Sequence, residues 1–237
     1  MKGIILSGGS GSRLYPSTIS ISKQIIPIYD KPMIYYPLSV LMLAGIREIM
    51  IISTKEHLSI FKKQFGNGQL LGIQITYEIQ NHPNGIPEAF IIAEKFIKNN
   101  NVMLILGDNL FYGQQLGNLL KNSLQNMQGA KIFLHQVKNP NDYGVVGFNK
   151  LKKITKIIEK PKKIISNFAI TGMYLFDKNV INFAKKLNFS KRNELEITSL
   201  INSYLKINKL KYEILGRGYT WFDAGTHDSL LSASQFI

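Results

Sequence analysis

Arg13, Lys23, the couple Glu159-Lys160 and two aspartates far apart in the chain, Asp108 and Asp223, are the residues whose type and setting suit phosphate chemistry. The first of them closes a glycine-rich run, Gly8-Gly9-Ser10-Gly11-Ser12-Arg13-Leu14, placed directly after an apolar segment. Glycines let the backbone turn tightly and bring several N–H groups close to an anion. A helix N-terminus just beyond the loop is expected to add positive potential. Arg13 contributes a planar fork of donors matched to phosphate oxygens. The dinucleotide fingerprint would need glycine where Leu14 stands, and the Walker pattern's Gly-Lys-Ser/Thr is absent, so neither device applies. A plain glycine turn with a surface arginine is the competing interpretation of the run taken alone.

Asp108 lies in Leu106-Gly107-Asp108-Asn109, at the carboxyl end of the apolar run 102–106. Open α/β sheets bind ligands outside such strand ends. A carboxylate there suits magnesium, which takes one or two carboxylates and completes its shell with substrate phosphates; a turn aspartate is the plainer alternative. Asp223 stands in Gly216-Arg217-Gly218-Tyr219-Thr220-Trp221-Phe222-Asp223-Ala224-Gly225-Thr226 and offers a second carboxylate in a similar context. Trp221, the only tryptophan, fits a core position as well as a pocket wall. Asp142-Tyr143-Gly144-Val145-Val146 and Ile158-Glu159-Lys160-Pro161 flank expected antiparallel strands, and the second by itself is a common surface turn. The four histidines show no metal-ligand spacing, and no Ser/His/Asp triad is legible.

Pro16, Thr18, Lys23 and Pro27 extend the glycine run to G-x-G-x-R-L-x-P-x-T-x(4)-K-x(3)-P, which resembles the signature of the sugar-nucleotide pyrophosphorylases. The continuation Ser22–Ser39 is similar to the thymidylyltransferase branch of that family, and the resemblance runs from Lys2 to Phe236. It implies a Rossmann-like nucleotidyltransferase fold and transfer of a nucleotidyl group from dTTP to glucose 1-phosphate, with pyrophosphate released, for deoxysugar synthesis. It also implies one Mg²⁺ held by Asp108 and Asp223. Arg13, Lys23 and Lys160 would handle the reacting phosphates. The nucleotide side would comprise Gly8, Gly9, Gly11, Arg13, Gln80, Gly85 and Asp108. The sugar phosphate side would comprise Tyr143, Gly144, Glu159, Lys160, Ile170 and Trp221, with Asn167 nearby. Glu194-Leu195-Glu196-Ile197-Thr198 matches a further family segment without an assigned role.

The chain departs from the family's pattern in places. The base loop, usually Q-P-x-P-x-G-L-A-Q-A, reads Gln80-Asn81-His82-Pro83-Asn84-Gly85-Ile86-Pro87-Glu88-Ala89. Valine is more usual than Ile170, and aspartate more usual than Ser199. Many relatives continue with further helices past the segment matching Ser232–Ile237, so a short form without their regulatory site and subunit contacts is expected. A homo-oligomer is left open. So are UTP or another sugar 1-phosphate as substrate, and a catalytically silent nucleotide-binding subunit.

Those residues need a scaffold, and the chain supplies one by alternation. Lys2–Leu6, Glu48–Ser53, Gln74–Ile79, Val102–Leu106 and Lys131–Val137 have strand character. Helical patterns fall at Met33–Ala44, Glu56–Phe65, Pro87–Lys98 and near Gln114–Asn126. Strands at 145–148, 154–159 and 168–176, helices at 178–187 and 195–206, strands at 211–216 and 219–222, and a helix near His227–Phe236 complete the pattern. Serial alternation with wholly apolar strands predicts an α/β fold: a mostly parallel central sheet with helices on both faces, plus a smaller mixed-sheet part. One domain, 1–237, is expected, with a nucleotide half over about 1–110 and a sugar half over about 140–225. At 237 residues a sizeable core is attainable.

The formal charge of +14 admits nucleic acid as a partner. However, the lysines are dispersed among asparagines and isoleucines, which fits a compositional lean better than a binding face. No cysteine is present, so disulfides and thiolate metal sites are excluded. No uncharged stretch approaches the roughly 18 residues of a membrane span, and no secretion signal opens the chain. A cytoplasmic protein is expected.

Overall fold

Ile4 and Ile5 are both fully buried although they are neighbours in one strand, so the sheet they belong to is covered on both faces. The computed structural model describes residues 1–9 and 11–237; Ser10 of the glycine loop lies outside the described residues. The first half contains β1 (Lys2–Ser7), the small hairpin β2 (Pro27–Ile28) and β3 (Lys31–Pro32), α1 (Tyr35–Leu43), β4 (Glu48–Ser53), α2 (Lys55–Phe65) and β5 (Gln74–Ile79). Next come α3 (Glu88–Ile92), α4 (Glu94–Ile97), β6 (Val102–Leu106), β7 (Asn109–Gly113), α5 (Leu116–Leu124) and β8 (Ala130–Gln136). The chain closes through β9 (Gly144–Phe148), β10 (Ile154–Glu159), β11 (Phe168–Phe176), α6 (Val180–Lys185), α7 (Ile197–Lys206), β12 (Leu210–Leu215), β13 (Tyr219–Asp223) and α8 (His227–Phe236).

The main sheet runs β10-β9-β11-β6-β1-β4-β5, with β8 paired to β11 and β12. Strands β6, β1, β4 and β5 are mutually parallel. Beyond β6 the sheet continues antiparallel through β11 into β9 and β10. Alternate residues of each parallel strand enter opposite cores. Ile4, Met50, Ile52, Val102 and Leu104 pack with Phe90, Ile97, Leu200 and Tyr204 of α3, α4 and α7. Ile5, Ile49, Ile51, Met103 and Ile105 pack with Leu38, Leu41, Phe61 and Leu120 of α1, α2 and α5. Each such aliphatic burial contributes about 1.5–3 kcal/mol, so these strands fix the floor on which the site stands.

Strand β11 changes neighbours along its length. Phe168–Ile170 pair with Gln136–Leu134, and after a slip in register Tyr174–Phe176 pair with Ile132–Ala130. The first stretch also meets β9, the second meets β6.

Several elements differ from their sequence expectation. No long helix follows the glycine loop; a single 3₁₀ turn, Ser12–Leu14, stands there, so positive potential at the loop comes from side chains. The first helix starts at Tyr35, and the N–H groups of Met33 and Ile34 ahead of it bond back to Ile26 and Gln24 of the loop. The single helix expected over Pro87–Lys98 is two short ones meeting at Ala93, behind the weakly helix-forming pair Ile91-Ile92. The helix expected from 195 starts at Ile197, because Glu196 ahead of it is extended (φ −82°, ψ 131°). Strand β7 was not anticipated: it is short, carries Asn109 and Gly113 at its ends, and is held by pairing with the distant β13. Among the described residues no helix is long and apolar enough to cross a membrane.

Candidate active site

The pairing of β7 with β13 brings the two aspartates together. Asp223 is in register with Asn109, and the Ala224 N–H donates to Asp108 O at 2.9 Å. Gly107 lets the chain leave β6 in contact with β1, its N–H bonded to Leu6 O at 2.9 Å; a Cβ there would fall 2.5 Å from Ser7 Oγ. Asn109, buried, ties the corner. Its Oδ1 accepts from Trp221 Nε1 at 2.6 Å and from the Gly172 N–H at 3.1 Å, while its Nδ2 donates to Asp108 Oδ1 at 2.9 Å. The remaining Asp108 oxygen is ion-paired with Lys23 Nζ. Asp223 Oδ1 is buried and has no hydrogen-bond partner among the described residues.

The electrostatics of the two carboxyls diverge. Burial works against the charged form of Asp108, but Lys23 and Asn109 outweigh it and hold the pKa below the usual aspartate value. Asp223 is raised to about 6 by burial and by the Asp108 charge, with Lys23 and Arg13 offsetting only part. A buried carboxylate oxygen without a partner, beside a second carboxylate, is an arrangement a hard cation would stabilise. The described residues contain no cluster of three or more histidine, cysteine or acidic ligands. The donor set therefore fits a hard divalent cation that draws its remaining ligands from phosphate and water.

Two adjoining chambers meet at Asp108, with Asp223 lining the larger of them. The larger, about 380 Å³, is lined by Arg13, Tyr143, Gly144, Glu159, Lys160, Ile170, Trp221 and Asp223. The smaller, about 200 Å³, is lined by Gly8, Gly9, Gln80 and Gly85, the last shared with the larger chamber. Lys23 and Asp108 line both. Of the residues singled out from sequence, Gly11 and Asn167 line neither. Gly11 adopts a φ of 63° and its carbonyl accepts from Thr18 Oγ1 at 2.8 Å, so it shapes the loop from behind. A Cβ at Gly225 would fall 2.6 Å from the Arg13 guanidinium and 3.0 Å from Asp223 Oδ1; its lack of a side chain leaves room for both. Trp221 contributes a pocket wall, tilted against Tyr143 with centroids 5.2 Å apart, and also the brace to Asn109.

At the β9–β10 end of the larger chamber, Glu159 is in register with Gly144, where a Cβ would crowd Thr198 at 2.7 Å. Lys160, held at φ 41°, follows it and bonds through its N–H to Tyr143 O at 3.0 Å. Arg192 was missed from sequence. It lines the same chamber and donates to Glu196 Oε2 at 2.5 Å and to Glu159 Oε1 at 3.3 Å. Burial, then the Glu196 charge, raise the Glu159 pKa against the pull of Arg192. The motif Glu194–Thr198, given no role from sequence, lines this chamber along its whole length. At the other end Gly85 is pressed against Leu195: a Cβ there would fall 2.1 Å from Leu195 O, and its φ of 104° suits glycine alone. Gln80 Nε2 donates to Gly85 O at 3.2 Å and to Glu88 Oε2 at 2.7 Å.

The chain matches the family model described as nucleotidyl transferase over residues 2–237. It is 52% identical over 237 residues to a glucose-1-phosphate thymidylyltransferase of Neisseria meningitidis serogroup A, covering all of this chain and 82% of that protein. It is 48% identical to the protein of the same name from Mycobacterium tuberculosis, with the same coverage of each. Among solved structures, a candidate glucose-1-phosphate thymidylyltransferase from Bacillus anthracis, in complex with sucrose, superposes with a TM-score of 0.92 at 41% identity, over 100% of this chain and 94% of that one. A UDP-glucose pyrophosphorylase complexed with UDP-glucose shares the fold, with a TM-score of 0.87 at 23% identity over 99% of this chain and 97% of that one.

Proposed function

Since the chain belongs to the nucleotidyl transferase family, we propose that it transfers a thymidylyl group from dTTP to α-D-glucose 1-phosphate, giving dTDP-glucose and pyrophosphate. The observation that carries this reading is the position of Lys23 and Asp108, which line both chambers at their junction. A nucleotide in one chamber and a sugar phosphate in the other would present their phosphates to each other there. The names of the relatives at 46–52% identity support the choice of substrates.

The chemistry is an in-line displacement: an oxygen of the sugar phosphate attacks the α-phosphorus and pyrophosphate departs. Positioning and charge neutralisation dominate such reactions. The attacking phosphate is already ionised near neutral pH, so no side chain has to act as general base. Arg13 faces the Asp223 corner of the larger chamber and would neutralise the triphosphate and the departing pyrophosphate. Lys23 would hold the reacting phosphates at the junction. Lys160 and Arg192 would bind the sugar phosphate, and Glu159 and Gly144 the sugar hydroxyls. Gln80 and Gly85 would contact the base, and Gly8 and Gly9 allow the backbone close to the nucleotide. Asp108 and Asp223 would hold Mg²⁺, which when bound supplies charge neutralisation to the phosphates. Substrates that are phosphorylated metabolites suit a cytoplasmic enzyme.

Pyrophosphate release, measured with dTTP and UTP against several sugar 1-phosphates, tests the proposal. The expected result is fastest turnover with dTTP and glucose 1-phosphate. Nucleotide binding without pyrophosphate release would instead identify a catalytically silent subunit.

A further inference from the structure

Glu88 stands in the base loop where the family's pattern has glutamine, and its carboxylate is fully engaged. One oxygen accepts from Gln80 Nε2 at 2.7 Å, the other from Asn84 Nδ2 at 2.8 Å. The Gln80 amino group faces a second acceptor, Gly85 O, at 3.2 Å. Turning the Gln80 amide over would set its carbonyl oxygen against two acceptors, neither of which has a proton to give. Gln80 is only 5% exposed, so water cannot relieve that conflict. The side chain is held in one orientation. Its Oε1 makes no hydrogen bond among the described residues and lies beside Gly8, where a Cβ would come within 2.8 Å of it. The loop itself is anchored, with Asn84 O accepting from the Leu195 N–H at 2.7 Å.

We propose that Glu88 is a positioning residue for base selection: it fixes Gln80 with the carbonyl oxygen toward the smaller chamber, which then accepts bases presenting an imide N–H and refuses cytosine. Thymine and uracil carry a hydrogen at N3. Cytosine has a lone pair at the same place, and two acceptors face to face leave both unsatisfied. This inference rests on the proposal that the smaller chamber receives the base. It makes no distinction between thymine and uracil, which carry the same imide N–H and carbonyls along that edge and differ only at C5.

The test compares kcat/KM for dTTP, UTP and dCTP, with glucose 1-phosphate, in the wild type, Glu88→Met and Glu88→Gln. Methionine keeps the volume and removes both acceptors; glutamine keeps one carbonyl that can still receive the Gln80 amide. In Glu88→Met the dTTP-to-dCTP ratio is expected to fall at least about tenfold, the scale set by one buried hydrogen bond. The dTTP-to-UTP ratio should hold, and Glu88→Gln should restore most of the selectivity. A Glu88→Met enzyme that rejects dCTP as the wild type does, or a Glu88→Gln enzyme that loses as much, overturns the proposal. A separate readout needs no variant. In wild-type protein labelled for NMR, the Gln80 side-chain amide protons should exchange slowly with solvent, and exchange as fast as a surface glutamine would refute the clamp. Wild-type protein that releases no pyrophosphate from dTTP would refute the thymidylyl reading, while slow amide exchange would leave the clamp standing.

Discussion

Asn109 lets the support of the acidic pair be separated from the pair itself. In Asn109→Ala, two buried donors, Trp221 Nε1 and the Gly172 N–H, lose their acceptor at 2.6 and 3.1 Å. Each unsatisfied donor costs about 1–3 kcal/mol, so the loss is roughly 2–6 kcal/mol. Against a total stability of about 5–15 kcal/mol this is severe. At about 2–4 °C per kcal/mol for a chain of this size, Tm should fall by at least about 4 °C. Asn109→Asp preserves the acceptor for both donors but replaces the amide that donates to Asp108 Oδ1 at 2.9 Å with a like charge. Two unit charges at that distance repel by roughly 6 kcal/mol at an effective dielectric of about 20, an upper bound that Lys23 reduces. One carboxyl will therefore take up a proton and stand in for the lost amide donor. Asn109→Asp should be more stable at about pH 6 than at about pH 8, whereas the alanine variant should be unstable at both. Thermal denaturation at the two pH values, with pyrophosphate release alongside, reads the difference. If Asn109→Ala melts within about a degree of the wild type, or the two variants share one pH profile, Asn109 does not brace Asp108.

Asp108→Asn and Asp223→Asn should each abolish most turnover without unfolding the protein, and the double variant should be little worse than either, because both act on one cation; additive losses would refute a shared ion. Arg13→Lys should lower kcat more than it raises KM for dTTP, since an ammonium cannot reproduce the donor fork; a change in KM alone would count against a role on the reacting phosphates. Asp223 also predicts a pH effect. Its folded pKa of about 6 lies above the ordinary 3.8, so the folded state binds the proton more tightly, and the cation-free protein should lose stability as pH rises from about 4 to about 6. A divalent cation replaces that proton, so the Tm gain from Mg²⁺ should be larger at about pH 7.5 than at about pH 5; equal gains would show that Asp223 is not a ligand.

The sheet was legible because its central strands are largely apolar, and runs such as Ile49–Ile52 and Val102–Leu106 allow little else. The residues proposed to handle phosphates stand out in the sequence because the glycine loop and the two aspartates occupy strand ends. What escaped depends on distant pairing. Strand β7 has no pattern of its own and exists because β13 lies alongside it. Asn109 reads as an ordinary turn residue until Trp221 and Gly172 are seen to point at it. Arg192 is one basic residue among many in a lysine-rich chain, and only the folding of its loop against Glu159 and Glu196 distinguishes it. The role of Glu88 was half visible. Its place at a helix start follows from sequence, but its grip on Gln80 does not.

The change of partners along β11 has a practical meaning for anyone wishing to graft a different second half, β8 to β13, onto the half that ends with β6 and Asn109. Because one strand is hydrogen-bonded first to β9 and then to β6, the two parts are joined across β11 within one sheet. Crossover points have to fall outside Phe168–Phe176, and the donor strand has to bring the same slip after Ile170. A graft with unslipped pairing would carry Gly172 away from Asn109, and the misfit would be felt at Asp108, in the half that had been left untouched.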